Sequence, residues 1–83
     1  MLIDYTAQPA EFEGKTYDQR HGGPFDRGAA DSYYSRPINP HFYAGATMQS
    51  PRIPEDAMTK EELYAYTAGY LHNERFGDKK QWY

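Results

Sequence analysis

The feature that most constrains this 83-residue chain is what it lacks. It has no valine, three leucines, three isoleucines and four phenylalanines. So few aliphatic positions fall in the range normally associated with disorder. Against that stand nine tyrosines, an aromatic content of 17% and a net charge of only −3. Disordered chains are poor in aromatics. The expectation is therefore one small ordered core built from Tyr, Ala and Gly, with long irregular arms. The length allows no second core.

Composition narrows the function classes. No run approaches the 18 apolar residues of a membrane span. Met1-Leu2-Ile3-Asp4-Tyr5 has neither the basic region nor the apolar stretch of a signal peptide. There is no cysteine, hence no disulfide, thiolate nucleophile or cysteine zinc site. These points favour a cytoplasmic protein with no membrane partner. The mild acidity disfavours a general electrostatic grip on nucleic acid.

Along the chain, residues 1–23 read as an irregular acidic arm without period 2 or 3.6, with Phe12 and Tyr17 available to tuck against the rest. A small two-helix domain fills 24–83. Its first helix is expected over 24–35. Pro24 suits the first helical position and Asp26 the first turn. Arg27 and Asp31 are spaced to pair on the solvent side. Phe25, Ala29 and Tyr33 share one face, with Ala30 and Tyr34 beside it. Arg36 precedes Pro37, so the helix stops near Ser35. Residues 36–58 form a Pro-rich irregular connector pinned by Phe42 and Tyr43, more weakly by Met48 and Ile53.

The second helix is expected over 59–76. Thr59 and Glu62 have capping-box spacing, and Met58 and Leu63 that of a hydrophobic staple. Gly77 supplies the stop. Leu63, Tyr66, Tyr70 and Asn73 make one stripe; Tyr64, Thr67 and Leu71 make a second. Gly69 costs about 1 kcal/mol within a helix, so something approaches the backbone there. With Ala65, Ala68 and the cluster Gly28-Ala29-Ala30, this points to two helices crossing at close range. The fold class expected is thus mostly α. So small a core supplies only a few kcal/mol, leaving self-association or a partner to add the rest.

No catalytic signature is present. The chain has no nucleophile elbow, phosphate loop or metal motif, and its three histidines, His21, His41 and His72, lie in separate segments. A non-enzyme without cofactor or metal is expected. Tyr34, Arg36, His41, Phe42 and Tyr43 combine aromatics with arginine, the composition of protein interfaces and of single-strand binders. Residues 24–43 carry no net charge, which favours a protein partner over RNA. Trp82 and Tyr83 are the next contact residues expected.

The run Gly23-Pro24-Phe25-Asp26-Arg27-Gly28-Ala29-Ala30-Asp31-Ser32-Tyr33-Tyr34, then Asn39-Pro40-His41-Phe42-Tyr43, then Ala65-Tyr66-Thr67-Ala68-Gly69-Tyr70 resembles short uncharacterised proteins of tailed phages and some bacteria. Over residues 23–76 it is loosely similar to the ribosome modulation factor family, with its Arg-Gly helix, Pro-containing connector and Gly-containing second helix. That family is strongly basic and this chain is acidic. The resemblance implies a two-helix fold. It also implies a small binding protein, phage-encoded and active in host cytoplasm, that modulates a host or virion protein. The alternatives are a ribosome- or RNA-associated factor and a structural virion component.

Overall fold

A computed structural model describes residues 10–12 and 14–81, with side chains from Gly14 onward. Two helices form the centre. Helix α1 spans Pro24–Tyr33 and α2 spans Lys60–Phe76. Two antiparallel pairs of three-residue strands flank them: β1 (Ala10–Phe12) with β2 (Lys15–Tyr17), and β3 (His41–Tyr43) with β4 (Arg52–Pro54). A short 3-10 turn, Glu55–Ala57, leads into α2.

The α2 start follows its sequence chemistry. The Thr59 hydroxyl accepts from the Glu62 amide at 3.2 Å, and Glu62 accepts from the Thr59 amide at 2.8 Å. This satisfies two of the unpaired N–H groups of a first turn. Thr59 is the cap, so the helix proper begins at Lys60. At the far end Gly77 does stop the helix, but in extended conformation (φ −95°) rather than the left-handed turn usual for glycine. Its missing side chain makes room for Asn73, whose Oδ1 would lie 1.9 Å from a Cβ there.

Helix α1 ends at Tyr33, two residues before the expected boundary. Ser35 takes a left-handed φ of 57°. Its amide donates to the Ser32 carbonyl at 2.9 Å, and the Arg36 amide donates to the Asp31 carbonyl at 2.8 Å. This pair of bonds is the Schellman termination.

The helices cross where glycine permits. A Cβ on Gly28 would lie 2.0 Å from the Tyr66 carbonyl oxygen, and one on Gly69 would lie 2.1 Å from the Phe25 carbonyl oxygen. Backbone meets backbone at both points, as the small-residue clusters led one to expect. That contact sets which faces are buried. On α1 they are Phe25, Gly28, Asp31 and Ser32, not the Phe25–Ala29–Tyr33 stripe. Tyr33 and Tyr34 are exposed, and Asp31 lies inside rather than on a solvent face. On α2 the first stripe turns inward around Tyr66, Ala68 and Gly69, whereas Tyr64, Thr67 and Leu71 face outward. Tyr17 stacks on Phe25 with ring centroids 5.5 Å apart. The side chain of Phe12 lies outside the described residues.

The expectation of a mostly α fold is met in part: both helices are present, with short strands beside them. The arm carries β1 and β2 with Glu11 opposite Thr16, and the connector carries β3 and β4 with Phe42 opposite Ile53. Three-residue strands are too short for alternation to register. Phe42 does pin the connector, being 9% exposed, whereas Met48 is 83% exposed. Arg20 holds the second hairpin from outside, donating to the Tyr43 carbonyl at 2.8 Å and to the Gly45 carbonyl at 3.3 Å.

Candidate functional site

The interior is organised around a carboxylate. Asp31 is 3% exposed, which is tolerable only with partners. It accepts a short hydrogen bond from the Tyr66 hydroxyl. Its other neighbours are Arg36 at 3.3 Å, His41 at 3.9 Å and Arg27 at 4.0 Å. Tyr66 in turn accepts from the Asn39 amide at 3.0 Å. Burial, followed by the bond to Asp31, pushes the Tyr66 phenol well above its ordinary pKa. His41 lies 2.7 Å from the Asn39 carbonyl through Nδ1 and receives the Arg27 Nε–H at Nε2, 3.2 Å away. A carbonyl only accepts and this N–H only donates, so the ring carries its proton on Nδ1. The network joins α1, α2 and β3, and every member serves another member.

A second polar set closes the opposite end. Ser32, fully buried, donates to Glu74 at 2.5 Å and accepts from Asn73 at 2.9 Å. Lys79 pairs with Glu74 and donates to the Ser32 carbonyl at 2.9 Å. Hydrogen bonds from Lys79 and then Ser32 hold the Glu74 carboxyl below the ordinary range. The Lys80 amide donates to the Tyr33 carbonyl at 2.6 Å, so the tail runs back along the end of α1.

An accessible corner lies where α1 ends. Tyr33 and Tyr34 meet edge to face at 4.9 Å. The Arg36 guanidinium lies 4.7 Å from the Tyr34 ring centroid, and half of its side chain is exposed. A cleft of about 210 Å³ adjoins the tyrosines, lined also by Gln19, Ala29 and Ala30. That is below the ~300 Å³ at which clefts enclose a drug-sized ligand. Among the described residues, no three His, Asp or Glu side chains are grouped as a metal ion requires.

The sequence-expected contact residues divide accordingly. Tyr34 and Arg36 lie exposed and in contact. Tyr43 is half-buried. His41 and Phe42 are buried, at 5% and 9% exposure, which corrects their reading as exposed contacts. His41 is consumed by the Asp31 network, and Phe42 packs within the connector. Trp82 and Tyr83 lie outside the described residues. Tyr33, which the sequence pattern sets on one face with Phe25 and Ala29, belongs instead to the accessible corner, where its carbonyl accepts from the Lys80 amide. Asp31 and Tyr66 lie 35 positions apart, and no local pattern links them.

Comparison with protein-family models, with curated proteins and with solved structures found no match.

Proposed function

We propose that this chain is a non-catalytic binding protein that engages a protein partner through the corner formed by Tyr33, Tyr34 and Arg36. The observation carrying this reading is the stacking geometry of that corner. Two tyrosines and an arginine stack on one another while remaining partly exposed. The left-handed turn at Ser35 holds them in register. Tyr and Arg dominate the energetics of protein interfaces. Side chains that stack on one another before binding lose less entropy when they bind. The buried Asp31, Ser32 and His41 side chains are each engaged with other groups of the protein, which also favours binding over reaction chemistry. The resemblance to short phage proteins would make the partner a host or virion protein.

The test is affinity capture with the intact chain as bait, in parallel with Tyr34→Ala and Arg36→Ala. Circular dichroism verifies that both variants fold. A specific protein recovered by the parent and lost by both variants is the expected result. Equal recovery by all three would remove this corner from the interaction. Cosedimentation with ribosomes that falls steeply with salt would instead indicate phosphate contacts and replace the protein partner with RNA.

A further inference from the structure

The cleft beside the tyrosines has one charged residue in its lining. Phe25, Ala29, Ala30, Tyr33 and Tyr34 supply apolar walls, and Asp26 supplies a carboxylate. At about 210 Å³ the space suits one side chain rather than a whole small molecule.

The charges nearby differ in how far they are spent. Arg36 is paired with Asp31, and Lys79 with Glu74. Asp26 has no lysine or arginine partner among the described residues; its one ionisable neighbour is the exposed His21 ring, 4.0 Å from Oδ2. That ring carries a charge only when protonated. The same oxygen accepts from the Gly22 amide at 2.9 Å. The amide is neutral, and it takes one of the roughly four positions that a carboxylate offers. The negative charge of Asp26 is therefore uncompensated within the protein.

Apolar walls with one uncompensated carboxylate match a particular kind of side chain. Lysine and arginine lay an apolar stem along apolar surface and keep a charged head at its edge. Tyrosine rings also attract cations, and the Arg36 guanidinium already lies against Tyr34 in this way.

We infer that this cleft is a site for one cationic side chain, lysine or arginine, with Asp26 as its counter-ion and Tyr33 and Tyr34 as its walls. That the side chain belongs to a partner protein rests on the corner being the binding face. The cleft's affinity for the cation is a separate matter and is measured separately.

The probes are N-acetyl-lysine methylamide, its arginine equivalent and the neutral norleucine equivalent, titrated at constant ionic strength while amide shifts are followed by NMR. Both cationic probes should shift the amides of Ala29, Ala30, Tyr33 and Tyr34, with a Kd on the order of 10 mM for so small a ligand. The norleucine probe should bind at least about fivefold more weakly. Asp26→Asn, which keeps an oxygen for the Gly22 amide, should bind the lysine probe no better than norleucine. Should that variant not fold, the comparison of probes on the parent decides alone. Equal binding of norleucine, unchanged lysine binding by a folded Asp26→Asn, or shifts that avoid the cleft would each overturn the inference. Affinity capture separates it from the reading of the corner. A partner lost by Tyr34→Ala and Arg36→Ala but kept by Asp26→Asn would leave the corner standing and overturn the cation site as its contact. Charge-dependent probe binding by a chain whose captured proteins ignore all three substitutions would support the site and remove the corner.

Discussion

Ser35 occupies a left-handed backbone position that glycine would adopt without steric penalty. Ser35→Gly should therefore stabilise the protein by about 0.5–1 kcal/mol, the relief of strain exceeding the extra entropy of the unfolded glycine. A rise in melting temperature with unchanged circular dichroism would bear this out. The pair Arg36-Pro37 signals only that a helix must end; the left-handed geometry that ends it is a matter of Ser35 itself. Tyr66 supplies the second residue-scale expectation. Its phenol is held protonated by burial and by Asp31. A group whose pKa is raised on folding contributes stability that is fully present below its unfolded value, here about 10. That contribution is lost as pH rises from there through the folded value. Ultraviolet titration should show one of the nine tyrosines ionising last, together with alkaline unfolding. In Tyr66→Phe that late step should vanish, and the variant should be less stable by about 1–3 kcal/mol at neutral pH, because Asp31 and the Asn39 amide lose a partner.

At the scale of elements, the crossing of α1 and α2 depends on two hydrogen atoms where any other residue has a Cβ. Gly69→Ala improves helix propensity by about 1 kcal/mol. Yet its new methyl would sit 2.1 Å from the Phe25 carbonyl oxygen, and a backbone atom cannot rotate away. Gly69→Ala and Gly28→Ala should each destabilise by about 1–3 kcal/mol, with Gly69→Leu worse than Gly69→Ala. The double alanine variant should cost less than the two singles together, since helices once separated accommodate the second methyl. Thermal or urea unfolding of the set decides this. The crossing was legible because Gly and Ala cluster on both helices, and the α2 cap because Thr59 and Glu62 interact within one turn. The hairpins were not, since strands of three residues leave no periodic trace. The buried face of α1 was misread for a related reason. Hydrophobicity pointed to Tyr33, whereas the Gly28 contact rotates the helix so that Asp31 and Ser32 point inward.

For the whole molecule, the Asp31 network stands where a larger aliphatic core would otherwise be. Removing its central charge leaves Arg27, its side chain 13% exposed, without a carboxylate, and strands the Tyr66 hydroxyl. Asp31→Ala should cost about 3–5 kcal/mol, a large share of what a domain of this size has. Loss should be cooperative, because α1, α2 and β3 all hang on that group. Coincident transitions by circular dichroism and tyrosine fluorescence would show it. The same composition of the interior has a thermal consequence. Alongside Phe25, Phe42, Tyr66 and Ala68, the buried side chains include Asp31, Ser32 and His41. Exposing apolar surface on unfolding raises the heat capacity, and exposing polar surface lowers it. Calorimetry should therefore give a heat-capacity increment per residue below the usual ~12–15 cal/mol/K. The curve of stability against temperature is then flat. A chain that gathers its interior around one carboxylate and one buried tyrosine accepts a low maximum of stability and, in exchange, loses little of it on cooling or moderate warming.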